Sequence, residues 1–282
     1  MKVRVALGVF VIIAAYVTTI ILYAATGLGG PQALPVDQPV PGATSVVFDL
    51  EEVHAVKGEM VANVTVTPGP GLLDPVTHGL TEDLSVAIHS AVTPTTRSWA
   101  KGTVPGVFPV ALTIAGNPGG YPFDRYKSGP ITVEVVQGTN RVPQRTWATF
   151  VDRVPGWMFS VPSHEASDAS AVYRVDLLRS PSTAAFAAII LGALITIAVL
   201  GVVVATQTLR NQRKFQPPMT TWFAAMLFAV VPLRNALPDA PPMGTWVDVT
   251  VVLWVVVALV ASMSIYIACW WRHLKPEGDD KR

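Results

Sequence analysis

The chain has 282 residues, of which 51% are hydrophobic and only 14% charged, with a mean hydropathy of +0.45. Soluble domains carry about 25% charged residues, so this balance points to several membrane segments. The net charge of +1 conceals a partition: residues 26–183 hold 10 Lys and Arg against 14 Asp and Glu, and, Arg234 apart, the remaining basic residues flank apolar runs. That pattern leaves no concentrated basic surface and excludes nucleic acid as a partner.

Lys2 and Arg4 precede an uncharged run from Val5 to Ala25. A cleaved signal has an apolar core of about 7 to 15 residues, and this run approaches twenty, which favours a retained anchor over residues 1–26. Residues 27–43, rich in Gly and Pro, read as a linker. From Thr44 the hydrophobic period changes to two. Ala62, Val64 and Val66 share one face, with Val61, Asn63, Thr65 and Thr67 on the other, until Pro68-Gly69-Pro70-Gly71 ends the run.

Further strands are expected at 84–90, 107–115, 131–137, 146–152 and 172–178, with short pieces at 97–101 and 157–161. No helical period appears between 44 and 180, so this region is expected to be an all-β extracytoplasmic sandwich of antiparallel strands. Its core must hold without a disulfide, because Cys269 is the only cysteine.

Three apolar runs follow, and they set the fold class of the remainder as α-helical transmembrane segments, one amino-terminal and three carboxy-terminal. The first is 183–206, where Ala184, Ala188 and Gly192 recur every fourth residue as a small-residue stripe that admits a neighbouring helix. A loop at 207–218 leads to 219–237, which reaches spanning length only by passing Pro232 and carrying Arg234 and Asn235 into the membrane's outer half. An outer turn at 238–247 joins the last span, 248–271, and a basic tail at 272–282 ends the chain. Basic residues at Lys2, Arg4, Arg210, Arg213, Lys214, Arg272, Lys275, Lys281 and Arg282 place both termini in the cytoplasm of a multi-pass plasma-membrane protein, with residues 44–180 outside.

Two constellations stand out. Arg234 and Asp248 fall at similar depth on neighbouring spans, and charges so placed are costly unless paired or solvated. They either form a pair that locks the hairpin or lines a site, or reach separate headgroups; Asn235 and Asp239 lie alongside. The second is Tyr121-Pro122-Phe123-Asp124-Arg125-Tyr126, which interrupts the strand pattern. It reads as a packed corner whose charges bond nearby backbone, with a ligand subsite as the alternative. His54, His78, His89 and His164 share no metal-ligand spacing. The serines at 160, 163, 167 and 170 lack a nucleophile elbow. No catalytic residue, metal or cofactor is expected, and none of these features calls for an enzyme.

On three of these stretches the chain resembles the uncharacterised bacterial membrane family, common in mycobacteria and their relatives, described as domain of unknown function 4436. They are Val61 to Pro75, the segment 121–126, and Pro232 to Gly244 running on to Asp248. The resemblance implies this architecture and no established site. Tyr121-Pro122-Phe123-Asp124 also looks like a corner of pentameric ligand-gated channels, but that family has four spans after its domain and no amino-terminal anchor. The expected function is non-enzymatic, with the β-domain binding or positioning an envelope component or partner protein. The alternative is an accessory subunit of an envelope lipid or solute transport assembly, and the expected partners are the bilayer and an envelope protein or lipid.

Overall fold

The computed structural model describes residues 40–90, 94–162, 164–166, 171–212, 216 and 218–273, with 32–34 and parts of 10–21. Lys2, Arg4, much of the expected anchor and linker, Ser163, Ser167, Ser170, Arg213, Lys214 and the tail from 274 lie outside the described residues. The described part of 10–21 is helical.

Fourteen strands follow. They are β1 (Gln32–Leu34), β2 (Thr44–His54), β3 (Glu59–Thr67), β4 (Leu84–Ser90), β5 (Thr95–Trp99), β6 (Phe108–Gly116) and β7 (Arg125–Ser128). After these come β8 (Ile131–Gln137), β9 (Val142–Pro143), β10 (Thr146–Asp152), β11 (Trp157–Ser160), β12 (His164–Ala166), β13 (Ala171–Tyr173) and β14 (Asp176–Arg179). One sheet runs β1-β10-β2-β3-β6-β7-β14-β11, the other β12-β13-β8-β4-β5 with β9 on β8.

Period-two alternation dictates the core. Val46, Phe48 and Leu50 of β2 are buried beside Met60, Ala62 and Val64 of β3, while the residues between them stay partly exposed. Aromatic contacts pack within and between the sheets. Phe150 of β10 stacks on Phe48 at 4.8 Å and meets Tyr173 of β13 edge-on at 5.7 Å, and Trp99 of β5 lies 5.7 Å from Phe108 of β6.

Three expectations are corrected. The linker contains a strand, since Gln32–Leu34 pairs with β10. The strand expected at 172–178 is two, β13 and β14, on different sheets. The sheets are not wholly antiparallel either: β10 runs parallel to β2, with Thr146 opposite Thr44 and Asp152 opposite Leu50.

From Pro181 the regular elements among the described residues are helices. Ser180 caps α1 (Pro181–Leu209), its side chain accepting from the Thr183 N–H with Pro181 in the first turn. Next comes α2 (Met219–Asn235), and then a π-turn at Asp248–Val252 that runs into α3 (Leu253–His273). Two of these segments, Pro181–Leu209 and Asp248–Arg272, are long and apolar enough to cross a membrane. Of the expected span 219–237, the regular helix is the 17 residues of α2.

The buried residues of α1 are Thr183, Ala187, Ile190, Leu194, Ala198, Gly201, Ala205 and Thr208, a near-heptad seam. It packs in three layers: Ala187 and Ile190 with Tyr121, Leu237 and Val247; Leu194 and Ala198 with Met226, Val230, Val255 and Leu259; Ala205 with Phe223 and Tyr266. The expected small-residue stripe is not this seam. Ala188 and Gly192 are exposed, and a Cβ added at Gly192 meets nothing within 4 Å. The close approach is at Gly201, where a Cβ would lie 3.0 Å from Leu259.

Contacts divide the chain into two compact units. One holds residues up to Ala115 with Lys127–Leu177; the other holds Gly116–Tyr126 with everything from Leu178 onward. The excursion 116–126, continuous in sequence with the strands, therefore belongs to the helical unit.

Candidate functional site: two arginines at the head of the helices

Arg234 lies in the last turn of α2, beyond Pro232, which contributes no backbone N–H. Its Nε donates to Asp248 Oδ1 and its Nη2 to Asp248 Oδ2, both at 2.9 Å, a bidentate pair; Nη2 also reaches the Pro242 carbonyl at 3.1 Å. Asp248 Oδ2 accepts further from the N–H groups of Gly244 and Thr245, at 2.9 and 3.3 Å, and from Thr245 Oγ1 at 3.2 Å. Side-chain exposures of 7% and 17% show how little water reaches the pair. The carboxylate thus closes the 242–245 turn, begins the last helix and neutralises the end of α2.

The second arginine is Arg179, the last residue of β14, just ahead of the α1 cap. Its side chain is 3% exposed. Nε donates to Asp124 Oδ1 at 2.8 Å and Nη1 to Asp239 Oδ2 at 2.6 Å, and the guanidinium carbon stands 4.8 Å from the Tyr121 ring centroid. Asp239 reaches it from a left-handed backbone, φ 56°. Asp124 is buried and Asp239 half-exposed, so the first contact is the one shielded from solvent.

Tyr121 is wholly buried between these two centres, and its hydroxyl has no hydrogen-bond partner among the described residues. Burial pushes its phenol up to about 12, with the Arg179 charge pulling the other way. Burial also raises the Tyr126 phenol, helped by the charge of Asp124 and a hydrogen bond to it. Three carboxylates therefore face two guanidiniums at this end of the bundle. In chemical terms the arrangement clamps five chain segments.

Of the residues singled out from sequence, Tyr121, Asp124, Tyr126, Asp239, Arg234 and Asp248 meet in these contacts. Asn235 and Arg125 are exposed outside them. Phe123 is 71% exposed, so it is no part of a packed core, although its neighbours Tyr121, Pro122 and Asp124 are buried. The charge of Asp124 bonds a side chain 55 residues away rather than nearby backbone. Arg179 and Thr245 were not anticipated; the adjacency of Arg179 to a Ser-Pro helix start was the available signal. His54 pairs with Glu52 at 3.2 Å, and among the described residues no cluster of three metal-ligating side chains occurs.

A family model described as a domain of unknown function, DUF4436, matches residues 16–177, and a second domain of unknown function, DUF8686, matches residues 179–273. No curated protein matches the chain.

Proposed function

The chain belongs to the DUF4436 family, whose model matches more than half of it, and we propose that it is a non-enzymatic protein of the plasma membrane whose extracytoplasmic β-rich domain binds or positions a cell-envelope component or a partner protein. One observation carries this reading, the closure of the Arg234–Asp248 pair. A carboxylate that relays protons or meets a passing solute needs a free lone pair and water. Asp248 instead accepts five hydrogen bonds from its own turn and α2, four of them on Oδ2. The helices then act as a braced anchor and leave the β-rich unit as the working part.

A finer architecture belongs to the same proposal. The two sheets form a sandwich, α2 and the residues to 237 make a third carboxy-terminal crossing, and both termini are cytoplasmic. Single cysteines at Asp74, Gln212, Ala240 and Gly278, in a Cys269→Ser background, test it in intact cells, Ala240 being the exposed residue of the outer turn beside buried Pro241. An impermeant thiol reagent should label positions 74 and 240 and spare 212 and 278; labelling at 212 would overturn the arrangement.

The second reading is an accessory subunit of an envelope lipid or solute transport assembly. It draws on an apolar groove of about 330 Å³ between α1 and the last helix, walled by Ile195, Val199, Val202, Val251, Trp254 and Val255. A double-mutant cycle separates the two. Arg234→Ala or Asp248→Ala alone leaves a buried partner charged, at a cost of about 3–5 kcal/mol in soluble proteins. The double variant should recover part of that loss. If it is stable and complements a deletion strain, the architectural reading stands. If it is stable but inactive, the charges handle cargo and the transport reading replaces it.

A further inference from the structure

Two turns at the head of the helical unit carry large apolar side chains that point away from any core. Phe123 is 71% exposed and Met243 81% exposed, with Trp246 at 43% three residues later. Ordinary surface residues of this kind need no explanation, but these two sit on turns braced by buried arginines. Asp124, next to Phe123, is held by buried Arg179. The carbonyl of Pro242, next to Met243, is held by buried Arg234. Both turns are thereby held against a buried guanidinium, which fixes where each side chain leaves the backbone.

The height of both turns is fixed by the chain. Met243 and Trp246 precede Asp248–Arg272, one of the two membrane-length helices, by a few residues. Arg179, which holds Asp124, precedes the other, Pro181–Leu209, by two. Both tips therefore stand at the boundary where each helix leaves the hydrocarbon, the level at which aromatic and apolar side chains partition into lipid. We infer that Phe123 and Met243, with Trp246 beside them, form a braced apolar wedge immersed in the outer-leaflet lipid at the headgroup–acyl boundary. The wedge fixes the height of the helix heads, with lipid rather than a protein as its partner. This rests on the reading that the two long helices cross a membrane.

The test uses the full chain in phosphatidylglycerol–phosphatidylcholine liposomes. Phe123→Cys, Met243→Cys and, as a marker of the membrane reading, Val257→Cys are made singly in a Cys269→Ser background and labelled with an environment-sensitive nitrobenzoxadiazole. At 123 and 243 the probe should be quenched more strongly by lipid spin-labelled near the headgroup than by deeply labelled lipid. Its quenching by aqueous iodide should fall at least threefold below that of free probe. Val257, 46% exposed on α3, should respond most to the deep label. If 257 reports lipid while 123 or 243 is quenched by iodide as fully as free probe, the wedge is wrong and the membrane reading survives. If 257 also reports water, the membrane reading itself fails. The native chain gives a check that needs no substitution. Met243 in liposomes should be oxidised by impermeant chloramine T at least threefold more slowly than methionine in a short peptide, and equal rates would overturn the proposal.

Discussion

At Arg179 a single side chain meets two carboxylates that lie 55 and 60 residues from it in sequence, together with the face of Tyr121. Replacing it by alanine strands Asp124, whose side chain is 1% exposed, and should cost about 3–5 kcal/mol. The Asp239 contact is half-exposed, so Asp239→Ala should cost under about 1 kcal/mol. Lysine at 179 should rescue little, because an ammonium lacks the fork that serves both partners. Thermal melts of the full chain in detergent rank the three.

Tyr121 has a pH signature. Its phenol is raised to about 12, above the ordinary value of 10, so the unfolded chain ionises first. The stability this group contributes is fully present below pH 10 and is lost as pH rises through about 12. Tyr121→Phe removes a buried hydroxyl that has no partner among the described residues and should change neutral-pH stability by less than about 1 kcal/mol, while losing that part of the alkaline decline. A variant that declines as steeply as the parent would refute the assignment.

The residues of this site were legible in unequal degree. Arg234 and Asp248 could be set side by side because a span has a known rise, so equal depth follows from counting. Asp124 and Asp239 stood out as charges in odd places, but nothing local says that they share a partner. Arg179 reads as one more basic residue before a helix. The burial of Tyr121 and the exposure of Phe123 were likewise not separable, since a turn alternates according to what packs on it.

Among the elements, α1 shows how a correct helix can carry a wrong face. The interval of four that joins Ala184, Ala188 and Gly192 drifts off a seam whose buried residues mix steps of three and four. Small size marked Gly192 and Gly201 equally, and only the neighbours distinguish them. Gly192→Ala should leave stability unchanged or raise it by up to about 1 kcal/mol, since alanine favours helix and the site is open. Gly201→Leu should lower the melting temperature and the folded yield, because Leu259 and Phe223 already occupy the space. Equal effects at the two positions would mean that the seam is wrongly placed. The strands were more legible than the helix face, because period-two alternation names its own buried side. What alternation omits is pairing: the parallel β2–β10 contact and the separation of β13 from β14 are decided by distant residues.

For the molecule as a whole, the informative boundary is the one that departs from sequence order. The two family models divide the chain at 177 and 179, whereas contacts carry residues 116–126 into the helical unit. Tyr121 is buried by Ala187, Ile190, Leu237 and Val247, none of which a fragment ending at residue 180 would contain. Residues 32–180 expressed alone should therefore give a β-type far-ultraviolet circular dichroism spectrum without metal or disulfide, yet bind an apolar dye through the bared 121–126 turn. β6 ends at Gly116 and β7 starts at Arg125, and the two are neighbours in the sheet, so a short turn can join them directly. Replacing 117–124 by an Asn-Gly turn should keep the spectrum and cut the dye binding severalfold, because the strands carry their own core and the excised loop does not. A predominantly helical spectrum would refute the β-rich fold. Dye binding unchanged by the excision would show that the apolar surface lies elsewhere and that the turn does not depend on the helices for its burial.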